Sequence, residues 1–137
     1  MIEPGPGSAT AAKTPVRELV RVMVNLGYAT LLVIAAVLPP PSSIAGLTAP
    51  DWLAHAAAYG VQAGLLFWAV APVVGRGRGL TVAFFGAAVF GALTEALQLL
   101  RPERAVEARD VAANIVGAAI VCGALFTAGR ATTGRRK

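Results

Sequence analysis

The chain has 137 residues, of which 56% are hydrophobic and only 14% charged, with a mean hydropathy of +0.67. Soluble domains carry about 25% charged residues, so this composition excludes an ordinary water-soluble globule. A net charge of +5 invites a nucleic-acid reading, but no aromatic-interleaved basic face exists that could track phosphates.

The first fourteen residues, Met1 to Thr14, are rich in Pro, Gly, Ala, Ser and Thr without an apolar period. They read as the start of a disordered tail over residues 1–18, and they lack the basic and apolar regions of a cleavable signal peptide. Lys13, Arg17 and Arg21 lead into a first apolar run, about 22–38, which Pro39, Pro40 and Pro41 stop because proline has no N–H to continue a helix. Asn25 near its start reads as lying at headgroup depth or bonded to a neighbouring helix.

A loop then leads to a second run, about 50–74. The sequence Gly75-Arg76-Gly77-Arg78-Gly79 predicts a tight turn, followed by a third run over about 80–100. The polar segment Arg101–Arg109 separates it from a fourth, about 110–128, and a basic tail over 129–137 ends in Arg135-Arg136-Lys137. Runs of this length match the roughly 20 residues that a helix needs to cross a bilayer core of about 30 Å. The expectation is therefore an all-α polytopic membrane protein, with a domain over 19–128 made of four transmembrane helices in a compact bundle. No internal repeat has a persuasive period.

Orientation follows from the flanking cations. With four spans, Lys13, Arg17, Arg21, Arg76, Arg78, Arg130, Arg135, Arg136 and Lys137 share one side, while Arg101, Arg104 and Arg109 lie on the other. This asymmetry predicts both termini in the cytoplasm. Five of the seven carboxylates, Asp51, Glu95, Glu103, Glu107 and Asp110, then sit at or near the outward ends. Any chemistry belongs to the external leaflet.

Residues three, four and seven apart share a helix face. On the second span Asp51, His55, Tyr59 and Gln62 fall in one sector. On the third Gly91, Glu95 and Gln98 do the same, and on the fourth Glu107, Asp110, Asn114 and Gly117, provided that helix starts early enough to include Glu107. Charged groups facing lipid are costly, so these stripes should turn toward one another and form an outward-facing polar pocket. Asp51, His55, Glu95, Gln98, Arg104, Glu107, Asp110 and Asn114 are its candidate ligand-binding residues. Glu95, about a turn and a half inside its helix end, calls for pairing with Arg104, bonding to His55, or protonation.

Simpler readings stand beside this one. Thr48-Ala49-Pro50-Asp51 fits a capping box, which would give Asp51 a structural duty without excluding a site role. Arg101 and Glu103 read as solvated loop charges, and Arg109 as a residue that snorkels to the headgroups. Ala56, Gly60 and Gly64 form a small-residue face suited to helix packing. Cys122, the single cysteine, reads as a small buried hydrophobe. No serine or cysteine is placed for nucleophilic attack. One histidine with carboxylates is a mixed ligand set without a short His/Cys motif, so neither a metal nor another cofactor is expected.

The spacing Glu95, Gln98, Arg104, Asp110, Asn114, Gly117, with Glu107 at an often acidic position, resembles the VanZ-like family of small bacterial membrane proteins. Asp51-Trp52-Leu53-Ala54-His55 is similar to that family's Asp-Lys-x-x-His start, with Trp52 in place of the lysine, which removes one cation from the outer rim. The resemblance covers about residues 20–128. It implies a four-span bundle in the plasma membrane and work at the cell envelope, the family taking its name from a member associated with resistance to the glycopeptide teicoplanin. It supplies no reaction. Three functions follow as expectations. The first is binding of a membrane-lipid headgroup or cell-wall-related ligand. The second is an enzyme acting on a lipid-linked substrate through His55 and Glu95 as an acid–base pair. The third is a structural subunit working through partners.

Overall fold

A computed structural model describes residues 14–38, 50–99 and 107–134. Among them stand four α-helices and no strand: α1 (Thr14–Val37), α2 (Asp51–Val74), α3 (Arg76–Gln98) and α4 (Ala108–Gly134). Each is long and apolar enough to cross a membrane, and together they form the all-α multi-pass bundle that the composition predicts.

The helices alternate in direction. Asn25 meets Gln62 and Tyr28 meets Ala58, so α1 and α2 run antiparallel. His55 meets Asn114, and Gly60 lies against Gly117 and Val121, so α2 and α4 run parallel. The start of α2, the end of α3 and the start of α4 therefore share one end of the bundle. The other end gathers Arg17, Arg21, Arg76, Arg78 and Arg130 of the described residues. There Arg21 stacks over the ring of Trp68 at 5.5 Å and Arg76 over Phe67 at 5.5 Å, while Arg76 also donates to the carbonyl oxygen of Leu125. Guanidinium groups held on aromatic faces suit the boundary between hydrocarbon and water.

Small residues build the core. Ala63, Ala87 and Ala118 are fully buried, with Phe84 and Cys122 packed against them. Lipid tails are as apolar as leucine, so helices in a membrane associate through close backbone approach rather than through hiding large side chains. The expected small-residue face of α2 behaves in this way. A Cβ on Gly60 would lie 3.1 Å from the carbonyl oxygen of Gly117, and one on Gly117 would overlap the backbone of Ala56. Cys122 is half-buried, and its thiol points at the carbonyl oxygen of Leu80 at 3.9 Å. Large apolar side chains such as Leu31, Val73, Phe85, Val89 and Ile120 face outward, where the bilayer is the solvent.

α1 is peripheral, with Ala36 its one buried side chain among those described. Its polar tie to the bundle is Gln62 Nε2, which donates to Asn25 Oδ1 at 3.1 Å, joined by Tyr28 Oη donating to the carbonyl oxygen of Ala58 at 3.1 Å. Asn25 thus bonds a neighbouring helix.

Three boundaries differ from the sequence reading. The turn expected over Gly75–Gly79 shrinks to Gly75 alone, which ends α2 and starts α3 with φ +84°, a left-handed value that favours glycine. Its N–H donates to Ala71 and its carbonyl oxygen accepts from Gly79, so Arg76 to Gly79 already form the first turn of α3. The helices also outrun the apolar segments. α1 begins at Thr14, inside the expected tail, and α4 continues to Gly134, beyond the expected limit of 128. A helix satisfies its own backbone and can continue past the apolar core, here with a Glu18–Arg21 pair at 2.7 Å and Arg130 over the ring of Phe126 at 4.9 Å.

Gly117→Ala should lower the midpoint of thermal unfolding in detergent, with a cost of about 2 kcal/mol or more, because α2 must move to admit a methyl group. Gly123→Ala, where a Cβ meets nothing within 4 Å, should leave the midpoint unchanged or raised.

Candidate functional site

The polar stripes of α2, α3 and α4 converge on the imidazole of His55. Nδ1 lies 3.1 Å from Glu95 Oε1 on α3 and 3.2 Å from Asn114 Oδ1 on α4. Nε2, on the far side of the ring, faces Asp51 Oδ1 one helical turn back and Asp110 Oδ2 on α4, both at 4.0 Å. An amide oxygen is an acceptor, so the Nδ1–Asn114 contact fits the tautomer with the proton on Nδ1, beside the Glu95 carboxyl group.

Exposure is graded across the site. The Asp51 side chain is 58% exposed, that of His55 13%, Asp110 8% and Glu95 2%. One edge therefore reaches the surface of the bundle at its Asp51 end, and the opposite edge is sealed. Gln98 is buried on the same α3 face, one turn after Glu95.

Backbone proximity makes room for this cluster. A Cβ on Gly91 would stand 3.0 Å from both Cβ and Nδ2 of Asn114 and 3.2 Å from Cε1 of Tyr59. Glycine there lets Asn114 lie fully buried between α3 and α4. Beneath it Tyr59 and Thr94 share a hydroxyl–hydroxyl hydrogen bond. The Thr94 hydroxyl also lies 2.9 Å from the Gly91 carbonyl oxygen of its own helix. Tyr59 further packs on Phe90 with ring centroids 6.2 Å apart.

Most of the sequence-predicted residues meet at His55: Asp51, Glu95, Asp110 and Asn114 each lie within 4.0 Å of one of its ring nitrogens, and Gln98 is buried on the Glu95 face of α3. Glu107 is not among them. It precedes α4 rather than joining it, and its side chain, 52% exposed, pairs with Arg109 at 2.9 Å. The stripe on α4 therefore begins at Asp110. Arg109, expected to snorkel, is held by Glu107 and lies 3.9 Å from Asp110 Oδ1. Pro50 is the N-cap of α2 without a side-chain bond, and Asp51 opens the helix with its carboxylate 4.0 Å from His55 Nε2; the Thr48 half of the expected capping box lies outside the described residues. Arg101, Glu103, Arg104 and Thr48 lie outside the described residues.

Thr94 escaped the sequence reading although it is 1% exposed and bonded to Tyr59. Its signal is its place three residues after Gly91, on the face already marked by Gly91, Glu95 and Gln98.

The chemistry open to the arrangement is that of an imidazole with one nitrogen engaged and the other turned toward two carboxylates. Asp51, His55 and Asp110 bring one potential metal-ligand atom each to within 4.8 Å of one another. Tertiary proximity thus supplies a donor set that no short motif announces. Comparison with protein-family models, with curated proteins and with solved structures returns no match.

Thr94→Val should destabilise the bundle by about 1–3 kcal/mol, because it leaves the Tyr59 hydroxyl without its partner in a buried site. Adding Tyr59→Phe should recover part of that loss, a non-additivity that unfolding in a double-mutant cycle would measure.

Proposed function

We propose that this chain is a VanZ-like protein of the plasma membrane. In this reading it holds a polar lipid headgroup or cell-wall-related ligand at the outward end of its bundle and so influences glycopeptide susceptibility. The observation that carries the proposal is the convergence of three helices on His55. Polar groups buried between membrane helices are expensive, and a single cross-helix pair would suffice for packing. Here Asp51, Glu95, Asp110 and Asn114 all surround one ring, and the ring's Nε2 edge is turned toward the exposed Asp51. A ligand arriving from the membrane surface would meet that edge. Arg104 is the cation that this reading assigns to the ligand's anionic part, and Gln98 would hold a neutral one.

The external placement rests on the cation asymmetry. Arg17, Arg21, Arg76, Arg78 and Arg130 gather at the opposite end from His55, so the positive-inside rule turns the site outward with both termini in the cytoplasm. In a Cys122→Ser background, Asp51→Cys should react with a membrane-impermeant maleimide added to intact cells. Labelling only after the cells are opened would reverse the orientation.

A second reading, an enzyme with His55 and Glu95 as an acid–base pair, draws on the 3.1 Å contact between them. Glu95→Gln separates the two, since the amide oxygen can still accept from Nδ1 but can take no proton. Under ligand binding, native mass spectra of the purified protein should show the same co-purifying lipid or precursor for wild type and Glu95→Gln, and its loss in His55→Ala. Accumulation of unprocessed ligand on Glu95→Gln alone would favour the enzyme. Teicoplanin susceptibility of cells expressing each variant should follow the mass spectra. A phenotype indifferent to all of them would sink the envelope role.

A further inference from the structure

We infer that Asp51, His55 and Asp110 form a binding site for a single divalent cation of the zinc or manganese type. The ligand atoms are His55 Nε2, Asp51 Oδ1 and Asp110 Oδ2, with Nε2 4.0 Å from each oxygen and all three within 4.8 Å of one another. Such separations are too long for hydrogen bonds and leave a gap between the groups. A cation in the midst of the three would stand roughly 2.5 Å from each, so contraction by a few tenths of an ångström reaches the 2.0–2.2 Å typical of zinc with nitrogen and carboxylate oxygen.

Two observations outside the cluster of acids point to a cation. The first is the far side of the ring. A metal-bound histidine almost always donates its other N–H to a carboxylate or carbonyl oxygen, which fixes the tautomer and aims the free lone pair. His55 Nδ1 faces Glu95 Oε1 at 3.1 Å and Asn114 Oδ1 at 3.2 Å, both from other helices. The lone pair on Nε2 then points into the gap. The second is Asp110. Its side chain is more than nine-tenths buried and, among the described residues, its Oδ1 accepts no hydrogen bond and its contacts with Arg109 Nε at 3.9 Å and His55 Nε2 at 4.0 Å are both long. A buried carboxylate so poorly served is costly, and a metal ion offsets that cost.

The donor set selects the class of ion. Magnesium and calcium prefer oxygen-only cages, whereas one imidazole with two carboxylates suits a borderline ion such as zinc or manganese. Three protein ligands leave coordination positions open, and Asp51, the exposed member, sets them toward the surface. The site rests on these three residues alone and does not need the headgroup reading, although a bound cation would also attract an anionic headgroup.

The test uses the full chain in detergent micelles, purified through a histidine-free tag, stripped of metal and titrated with zinc chloride or manganese chloride with no lipid added. Binding of about one ion per chain is expected, read by elemental analysis after desalting and by calorimetry. His55→Ala, which removes the protein's one histidine, should abolish it. Asp110→Asn should weaken it by about tenfold or more, since loss of even an outer-shell partner commonly costs 10–100-fold. Asp110 is buried and its variant can misfold, so Asp51→Asn serves beside it. That exposed residue should lose affinity by a similar factor while the thermal midpoint of the metal-free protein stays unchanged. No uptake by the wild type, or uptake equal in wild type, His55→Ala and Asp51→Asn, overturns the site. Uptake without any co-purifying lipid would support it while leaving the headgroup reading to fail by itself.

Discussion

Polar groups that cannot face hydrocarbon organise this bundle. Glu95, Asp110 and Asn114 lie within apolar helices and are buried, so each must be turned inward and served by another helix. His55 is the common partner. Its two nitrogens reach α3 and α4 on one side and α2 and α4 on the other, and this fixes the rotation of three helices about their axes. A rotation of α3 or α4 that turned its stripe outward would place a carboxylate or an amide in lipid.

That polar junction can close only because the helices approach one another unusually tightly. Gly117 lies against the backbone of Ala56, Gly91 against Asn114 and Tyr59, and Ala63, Ala87 and Ala118 fill the interior. The small residues and the polar cluster depend on each other. Close approach brings the short side chain of Asn114 within reach of His55, and the cross-helix bonds hold a core with few large side chains of its own. Large apolar residues are left for the outer surface, where lipid covers them. α1 takes little part in this arrangement and is tied on through Asn25, Gln62 and Tyr28.

Much of the site was legible in the sequence because helical periodicity is a local property. Three apolar runs each carried polar residues at spacings of three and four, and a bilayer leaves such stripes no favourable direction but inward. That reasoning places Asp51, His55, Glu95, Asp110 and Asn114 together without knowledge of the fold. It fails at Glu107, where one residue at the helix start decides between the stripe and the rim. It also fails at Thr94, because a lone threonine in a span usually bonds to its own helix, as Thr30 does with Leu26. Thr94 bonds its own helix too, and its place on the polar face of α3 is the one local mark that separates it from Thr30. The approach of Tyr59 from α2 gives that position its cross-helix bond.

The number of spans, the all-α class, the asymmetry of cations between the two ends and the residues with no place in lipid are all written in the order of amino acids. Each of these follows from composition and from the 3.6-residue period, which neighbouring helices do not alter. Only in three dimensions does it emerge which nitrogen of His55 meets which acid, that Asp51 opens α2 within 4.0 Å of His55, and that three potential metal-ligand atoms from α2 and α4 stand within 4.8 Å of one another. Asp110 and His55 are 55 positions apart in the chain. Their separation in space is set by how closely Gly60 and Gly117 let two helices approach, a distance that no spacing along one helix encodes.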